Sequence, residues 1–296
     1  MTERLDLVLD SQCALGECPV WSPRETALYF VDIKGMKLHR LEPETKRHTV
    51  IALSEEIGCF AIRKDGGFIA GLRSGVWHLA ADGSRVAMLA PNPEHHATNR
   101  FNDGRTDPRG RFFLGTIDEP KAGATAGLYR FDKRGLAQIE GGLTTSNGLA
   151  FSPDGRVMYH SDTPRFTIYA YDYDVETGTA SNRRIFAQLQ PNPGGGGGRP
   201  DGGAVDVEGC YWTALYDGGR VQRYSPTGEL LAEYQVPAGA PTMVAFGGAD
   251  MKTLYITSAR DGRPADELAR LPHSGGIFSL RTKVPGVPEP LFDPEA

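Results

Sequence analysis

The chain has 296 residues, 40% of them hydrophobic and 23% charged, a balance that suits a globular protein with a sizeable core and excludes a disordered one. A formal net charge of −5 without a Lys/Arg cluster argues against a nucleic-acid partner, whose phosphates call for a basic patch. The charged start MTERLDLVLD has no apolar leader core, and no run reaches the ~18 apolar residues of a membrane span. A cytoplasmic protein with no membrane partner is expected.

In chain order, RLDLVLD comes first, ahead of any repeated unit. Six stretches then share one plan, a polar turn followed by a strand rich in aromatic and β-branched residues: SPRETALYFVDI, KDGGFIAGLRSG, DPRGRFFLGTID, SPDGRVMYHSDT, DVEGCYWTALYD and GADMKTLYITSA. Their last turn residues, Glu25, Gly66, Gly110, Gly155, Gly209 and Asp250, are spaced by 41, 44, 45, 54 and 41. After each comes a second strand (KLHRLEP, GVWHLAADG, GLYRFDKRG, TIYAYDYD, RVQRYSPTG, GIFSLRTK) and then a more variable one, as in HTVIAL or RRIFAQL. Ahead of the turns lie small apolar segments such as GCFAI, NGLAF, GGAVD and TMVAF, the composition of a crowded strand lining a channel.

Four strands per unit at this period predict an all-β, six-bladed β-propeller of four antiparallel strands per blade, one domain over 1–296. RLDLVLD is expected to supply the outer strand of the last blade and close the ring. The longest step contains QPNPGGGGGRP (190–200), which lacks the Lys-Ser/Thr of a phosphate-binding loop and is read as a mobile loop. ADELARL reads as a short helix near one mouth of the channel. Cys13, Cys18, Cys59 and Cys210 form no C-x-x-C pair, so reduced thiols are expected.

Eight residues before each turn anchor, where the innermost strands begin, stand Glu17, Gly58, Asn102, Asn147, Asp201 and Thr242. In a propeller these positions ring one end of the channel. Any one Asn or Asp beside Gly reads equally well as a turn former, but capping gives no reason for the same offset to recur in different blades. Two carboxylates and two carboxamides without His or Cys describe a site for a hard cation: calcium, magnesium or manganese, with zinc and iron(II) also able to bind carboxylate oxygen.

Arg100, two residues before Asn102, can lean over the opening and hold substrate oxygens with its planar fork; a solvated Arg or one paired with Asp103 is the alternative. Asp103, followed by Gly104, reads equally as a turn former. The mouth also gathers His95, His96, Glu119, Lys121, Asp162, Asp217 and Arg260, a polar rim suited to a polyhydroxylated ligand. His160 falls inside a strand as an interior imidazole. No nucleophile-elbow, zincin or Walker motif occurs.

On LGECPVW (15–21), RFNDG (100–104), TSNGLAFSPDGR (145–156) and PDGGAVDVEG (200–209), the chain resembles the senescence marker protein / regucalcin / gluconolactonase family of six-bladed sugar lactonases, over nearly its whole length. The resemblance implies metal ligands at Glu17, Asn147 and Asp201, and substrate contacts at Arg100 and Asn102. A further acidic contact would fall on Glu119, with Asp118 competing. The family's LGEGP reads LGECP here, so Cys18 stands where a Gly is usual and is expected to crowd the first blade's turn.

The activity this resemblance implies is that of a divalent-cation-dependent hydrolase that opens a small-molecule sugar lactone. Asp201 is expected to be the catalytic residue that deprotonates the water, because it can touch metal and water together. A propeller closed on itself, with little edge to share, is expected to be a monomer. Two alternatives remain: a non-enzymatic cation-binding propeller, and a metal-dependent phosphotriesterase or arylesterase.

Overall fold

The computed structural model describes residues 5–95, 97–191 and 197–296. His96 and the core of the glycine-rich insertion, 192–196, lie outside the described residues. Six four-stranded antiparallel sheets follow one another around a ring. Blades one to five are simple meanders. Their inner strands are Gly16–Ser22, Ile57–Ile62, Asn99–Thr106, Ser146–Phe151 and Arg199–Val205, each followed outward by three more. The sixth combines Ala240–Gly247, Thr253–Ala259 and Ile277–Arg281 with the amino-terminal Asp6–Leu9 as its outer strand, as RLDLVLD predicts.

Burial follows position in the blade. Inner and second strands are covered on both faces and read as continuous small, branched and aromatic residues, whereas the outer strands, such as Arg85–Pro91, are largely exposed. Aromatic pairs fasten neighbouring blades: Tyr29 to Phe68, Phe113 to Phe151, Tyr159 to Tyr211, Trp212 to Phe246 and Trp21 to Tyr255, with ring centroids 4.9–5.8 Å apart. Each such pair adds about 0.5–1.5 kcal/mol beyond the area it buries. All four cysteines are free and buried.

Every inner strand carries one extra residue relative to its neighbour, at the same place: between Glu17 and Val20, Ile57 and Cys59, Phe101 and Gly104, Asn147 and Ala150, Pro200 and Gly203, and Pro241 and Val244. A bulge breaks the two-residue alternation and re-aims side chains. Here it coincides with the ring positions in all six blades. Gly58 occupies the second blade's ring position because a Cβ there would run into the carbonyl of Phe101 on the neighbouring blade.

The opposite end of the channel is crossed by the carboxy-terminal segment. Val287 N–H donates to Val205 O in blade five, Phe292 N–H to Ile62 O in blade two and Asp293 N–H to Gly110 O in blade three. Above it Arg105 donates from Nε to Leu149 O, from Nη2 to Gly203 O and Val244 O, and from Nη1 to Glu289 Oε2 at 2.6 Å. One buried guanidinium thus ties blade three to blades four, five and six and to the tail. The short helix is present as Ala265–Arg270. Among the described residues no helix is long and apolar enough to cross a membrane.

Candidate active site

Five side chains singled out in the sequence, Glu17, Arg100, Asn102, Asn147 and Asp201, line one cavity of about 140 Å³ at the channel mouth. They come from blades one, three, four and five. Of the other two ring residues, Gly58 has no side chain to offer, and Thr242 is fully buried with its hydroxyl committed to Gly16 O and Thr257.

A chain of hydrogen bonds orients the two amides. Arg100 Nη1 donates to Asn102 Oδ1 at 2.9 Å, Asn102 Nδ2 donates to Asn147 Oδ1 at 2.8 Å, and Asn147 Nδ2 donates to Thr163 Oγ1 at 2.8 Å. Thr163 Oγ1 in turn donates to Pro200 O. With its amide nitrogen so engaged, Asn147 keeps a lone pair on Oδ1 for a further partner.

Below the ring sits a third carboxylate, Asp103. Its Oδ2 accepts from Leu149 N–H at 2.9 Å, so it is a buried channel group and its turn-former reading is corrected. Burial, followed by repulsion from Asp201 and then Asp103, holds Glu17 well above the usual carboxylate range. Burial and the charge of Asp103 do the same to Asp201. Oδ1 of Asp103 and Oδ1 of Asp201 are buried without a donor among the described residues. Buried carboxylate oxygens left without donors call for a compensating cation, and an all-oxygen set with a free amide oxygen fits a divalent one.

A second acidic grouping, Asp206, Glu208 and Cys210, brings its donor atoms within 4.8 Å of one another on a blade-five turn. Asp206 Oδ2 there already accepts from Trp212 Nε1 and from Arg223 Nε and Nη2 at 2.7–2.9 Å. Arg223 supplies the positive charge that a metal would bring.

Arg100 is buried and held in place by Glu119. Burial opposes ionisation of Glu119, yet hydrogen bonds from Arg73 and Lys34 and the charge of Arg100 bring it down to about 2. Its oxygens take Lys34 Nζ at 3.0 Å, Arg73 Nη2 at 2.7 Å and Arg100 Nε at 3.3 Å. Glu119 is not among the residues lining the cavity, and neither is Asp118, whose Oδ2 accepts from Gly123 N–H.

Of the mouth residues read from sequence, Lys121 lines the cavity; Asp162 is buried beneath Thr145 N–H and Arg165, Asp217 pairs with Arg199 and Arg263, and Arg260 with Gln12. His95 is exposed. His160 is a core histidine bonded to Ser146 Oγ at 2.7 Å.

Arg199, Tyr216 and Thr163 also line the cavity without having been singled out. Arg199 stands two residues before Asp201, the same offset that places Arg100 before Asn102. Applied to every blade, that offset also gives Leu15 and Thr145, which line the cavity too. Cys18 takes φ 48°, the left-handed conformation that favours glycine. Its thiol reaches blade two, accepting Phe60 N–H at 3.4 Å and facing Phe60 O at 3.6 Å.

A profile of the SMP-30/Gluconolactonase/LRE-like region matches residues 15–260. The chain belongs to that family. It is 50% identical over 295 residues to the 6-deoxy-6-sulfogluconolactonase of Pseudomonas putida, covering 99% of both chains. It is 37% identical over 289 residues to the pentonolactonase XacC of Haloferax volcanii, covering 95% of this chain and 96% of the other. The crystal structure of a calcium-binding regucalcin from Agrobacterium tumefaciens superposes with a TM-score of 0.93 at 28% identity, covering 99% of this chain and 98% of that one.

Proposed function

We propose that this propeller, acting as one domain over 1–296, is a divalent-cation-dependent hydrolase that opens a sugar lactone to its aldonic acid. The observation that carries the reading is the convergence of Glu17, Arg100, Asn102, Asn147 and Asp201 on one cavity. The lactonases among the relatives support the substrate class, and the greater identity to the sulfogluconolactonase favours a six-carbon lactone.

Glu17, Asn147 and Asp201 would hold the cation, with calcium, magnesium or manganese suiting their oxygens better than zinc or iron(II). Bound there, it supplies Lewis-acid polarisation of the lactone carbonyl and lowers the pKa of a water. Arg100 and Asn102 hold sugar oxygens, and the Glu119 clamp keeps the Arg100 fork from swinging as substrate enters. Water oxygen bonds to the carbonyl carbon, Asp201 takes the water's proton, the ring C–O bond breaks, and the departing ring oxygen ends as a hydroxyl after receiving that proton. We place this action in the cytoplasm and assign it to the monomer, since one chain supplies every one of these side chains.

The test is acid release from a panel of five- and six-carbon aldonolactones, with chelated protein and with calcium, magnesium, manganese, zinc or iron(II) restored singly. Turnover that returns with a cation and falls by about 100-fold or more in Asp201→Asn supports the assignment. Cation binding without turnover of any lactone would instead favour a binding protein.

A further inference from the structure

We infer that Lys121 forms an anion subsite at the mouth, taking a sulfonate, phosphate or carboxylate carried on the lactone away from its ring carbonyl. The inference rests on the lactonase reading above and deepens it. Three cations line the cavity: Arg100, Lys121 and Arg199. Two are already engaged. Arg100 is held by Glu119, Phe101 O and Asn102. Arg199 pairs with Asp217 and lies over the Tyr216 ring, 5.2 Å from its centroid. Neither has much capacity left for a new charge.

Lys121 differs from both. Among the described residues its ammonium has no ion-pair or hydrogen-bond partner, although it lines a cavity whose carboxylates, Glu17 and Asp201, are assigned to the cation. Its backbone also sits at φ 54°, the left-handed conformation that strains a non-glycine residue. That turn is pinned by Lys121 N–H donating to Asp118 O and Gly123 N–H donating to Asp118 Oδ2, both at 2.9 Å. Asp118 thereby holds the strained loop in which the lysine sits.

A lysine only donates. Lys121 is exposed, so its ammonium is hydrated when the cavity is empty. A neutral sugar hydroxyl offers it only a hydrogen bond in place of that water, whereas an oxyanion substituent offers opposite charge as well. The 6-sulfonate in the name of the Pseudomonas putida relative is one such group. The chemistry shared by sulfonate, phosphate and carboxylate is a compact set of charged oxygens, matched to an ammonium as a point charge.

The experiment compares wild type, Lys121→Met and Lys121→Arg on 6-deoxy-6-sulfogluconolactone, 6-phosphogluconolactone, a lactone bearing a terminal carboxylate, and neutral gluconolactone. Lys121→Met is expected to lose about 10- to 100-fold in kcat/KM on the anionic lactones, mainly through KM. Its rate on gluconolactone should stay within about 3-fold, and Lys121→Arg should restore the preference. The ranking of the three anions in wild type identifies which substituent the subsite takes. Equal losses on anionic and neutral lactones, or no loss on either, would overturn the subsite and leave the lactonase reading standing. If wild type opens no lactone, that reading fails by itself. Calorimetric binding of 6-deoxy-6-sulfoglucose against glucose, in wild type and Lys121→Met, then decides the subsite separately: a preference lost in the variant supports it, and none in wild type overturns it.

Discussion

The side-chain amide of Asn102 donates to Oδ1 of Asn147, and the amide of Asn147 in turn donates to Thr163, both at 2.8 Å. Thr163 therefore selects which end of the Asn147 amide faces the cavity. Because it also donates to Pro200 O, it couples the strand carrying Asn147 to the strand carrying Asp201. Thr163→Val should weaken divalent-cation binding by about 10- to 100-fold, the usual effect of losing a partner that orients a ligand. Thr163→Ser should restore it. Titration calorimetry with calcium and manganese reads this without any substrate, and an unchanged Kd in Thr163→Val would refute the positioning role.

Cys18 holds a left-handed backbone while its sulfur bridges to Phe60 on the next blade. Alanine would keep the strain and lose the sulfur contact; glycine would lose the contact but relieve the strain. We expect Cys18→Gly to be more stable than Cys18→Ala by on the order of 0.5–1 kcal/mol, measured by urea unfolding. The reverse order would show that the thiol environment, not the φ angle, governs this position.

Arg105 and Glu289 form a pair buried between the channel and the tail, 2.6 Å apart. Burial raises the Glu289 carboxyl, and Arg105 opposes that rise. Arg105→Met should cost about 3–5 kcal/mol, because it strands a buried carboxylate as well as three carbonyls. In the double variant Arg105→Met/Glu289→Leu part of that loss should return, with a coupling of roughly 0.5–3 kcal/mol. Strict additivity would mean that the two residues act independently.

Acid should destabilise the fold through two histidines. Burial pushes His39 down to about 4 and His160 down to about 3, with the charge of His48 and of Arg183 adding to the respective shifts. Both are neutral when folded and take up a proton on unfolding once the pH falls below the ordinary histidine value. Their contribution is therefore complete above about pH 6.5 and is lost progressively as the pH falls towards those depressed values. Each can give a slope of up to roughly 1.4 kcal/mol per pH unit between pH 6 and 5. Urea midpoints across that window should fall, and His39→Phe should show a shallower slope than wild type.

The repeat made the architecture legible: a 41–54-residue period, a polar turn and an aromatic strand recur in chain order, and the offset from each turn found the ring. The offset worked because the inner strands bulge at equivalent places, so counting back from the turn reached equivalent side chains. The bulges themselves leave no local mark: Glu17-Cys18-Pro19 and Asp201-Gly202-Gly203 share no composition. Asp103 looked like a turn residue because Asp-Gly is turn chemistry, and only the neighbouring blade's Leu149 N–H reveals its role. Glu119 is acidic and near the mouth, but its commitment to Lys34, Arg73 and Arg100 joins residues up to 85 apart in sequence. The tail that crosses the far end contains prolines and glycine and carries no periodic signal; it is held by other blades, through backbone hydrogen bonds and the Arg105–Glu289 pair.

The pairing of Asp6–Leu9 with Ile277–Arg281 has a consequence in time. A ribosome releases Asp6–Leu9 well ahead of its partner Ile277–Arg281, by an interval on the order of tens of seconds at cellular translation rates. For that interval blades one to five can assemble in order, while the amino-terminal strand waits unpaired and the ring stands open. The nascent protein thus presents an exposed strand edge until its last blade emerges, and chaperone demand should peak late in translation.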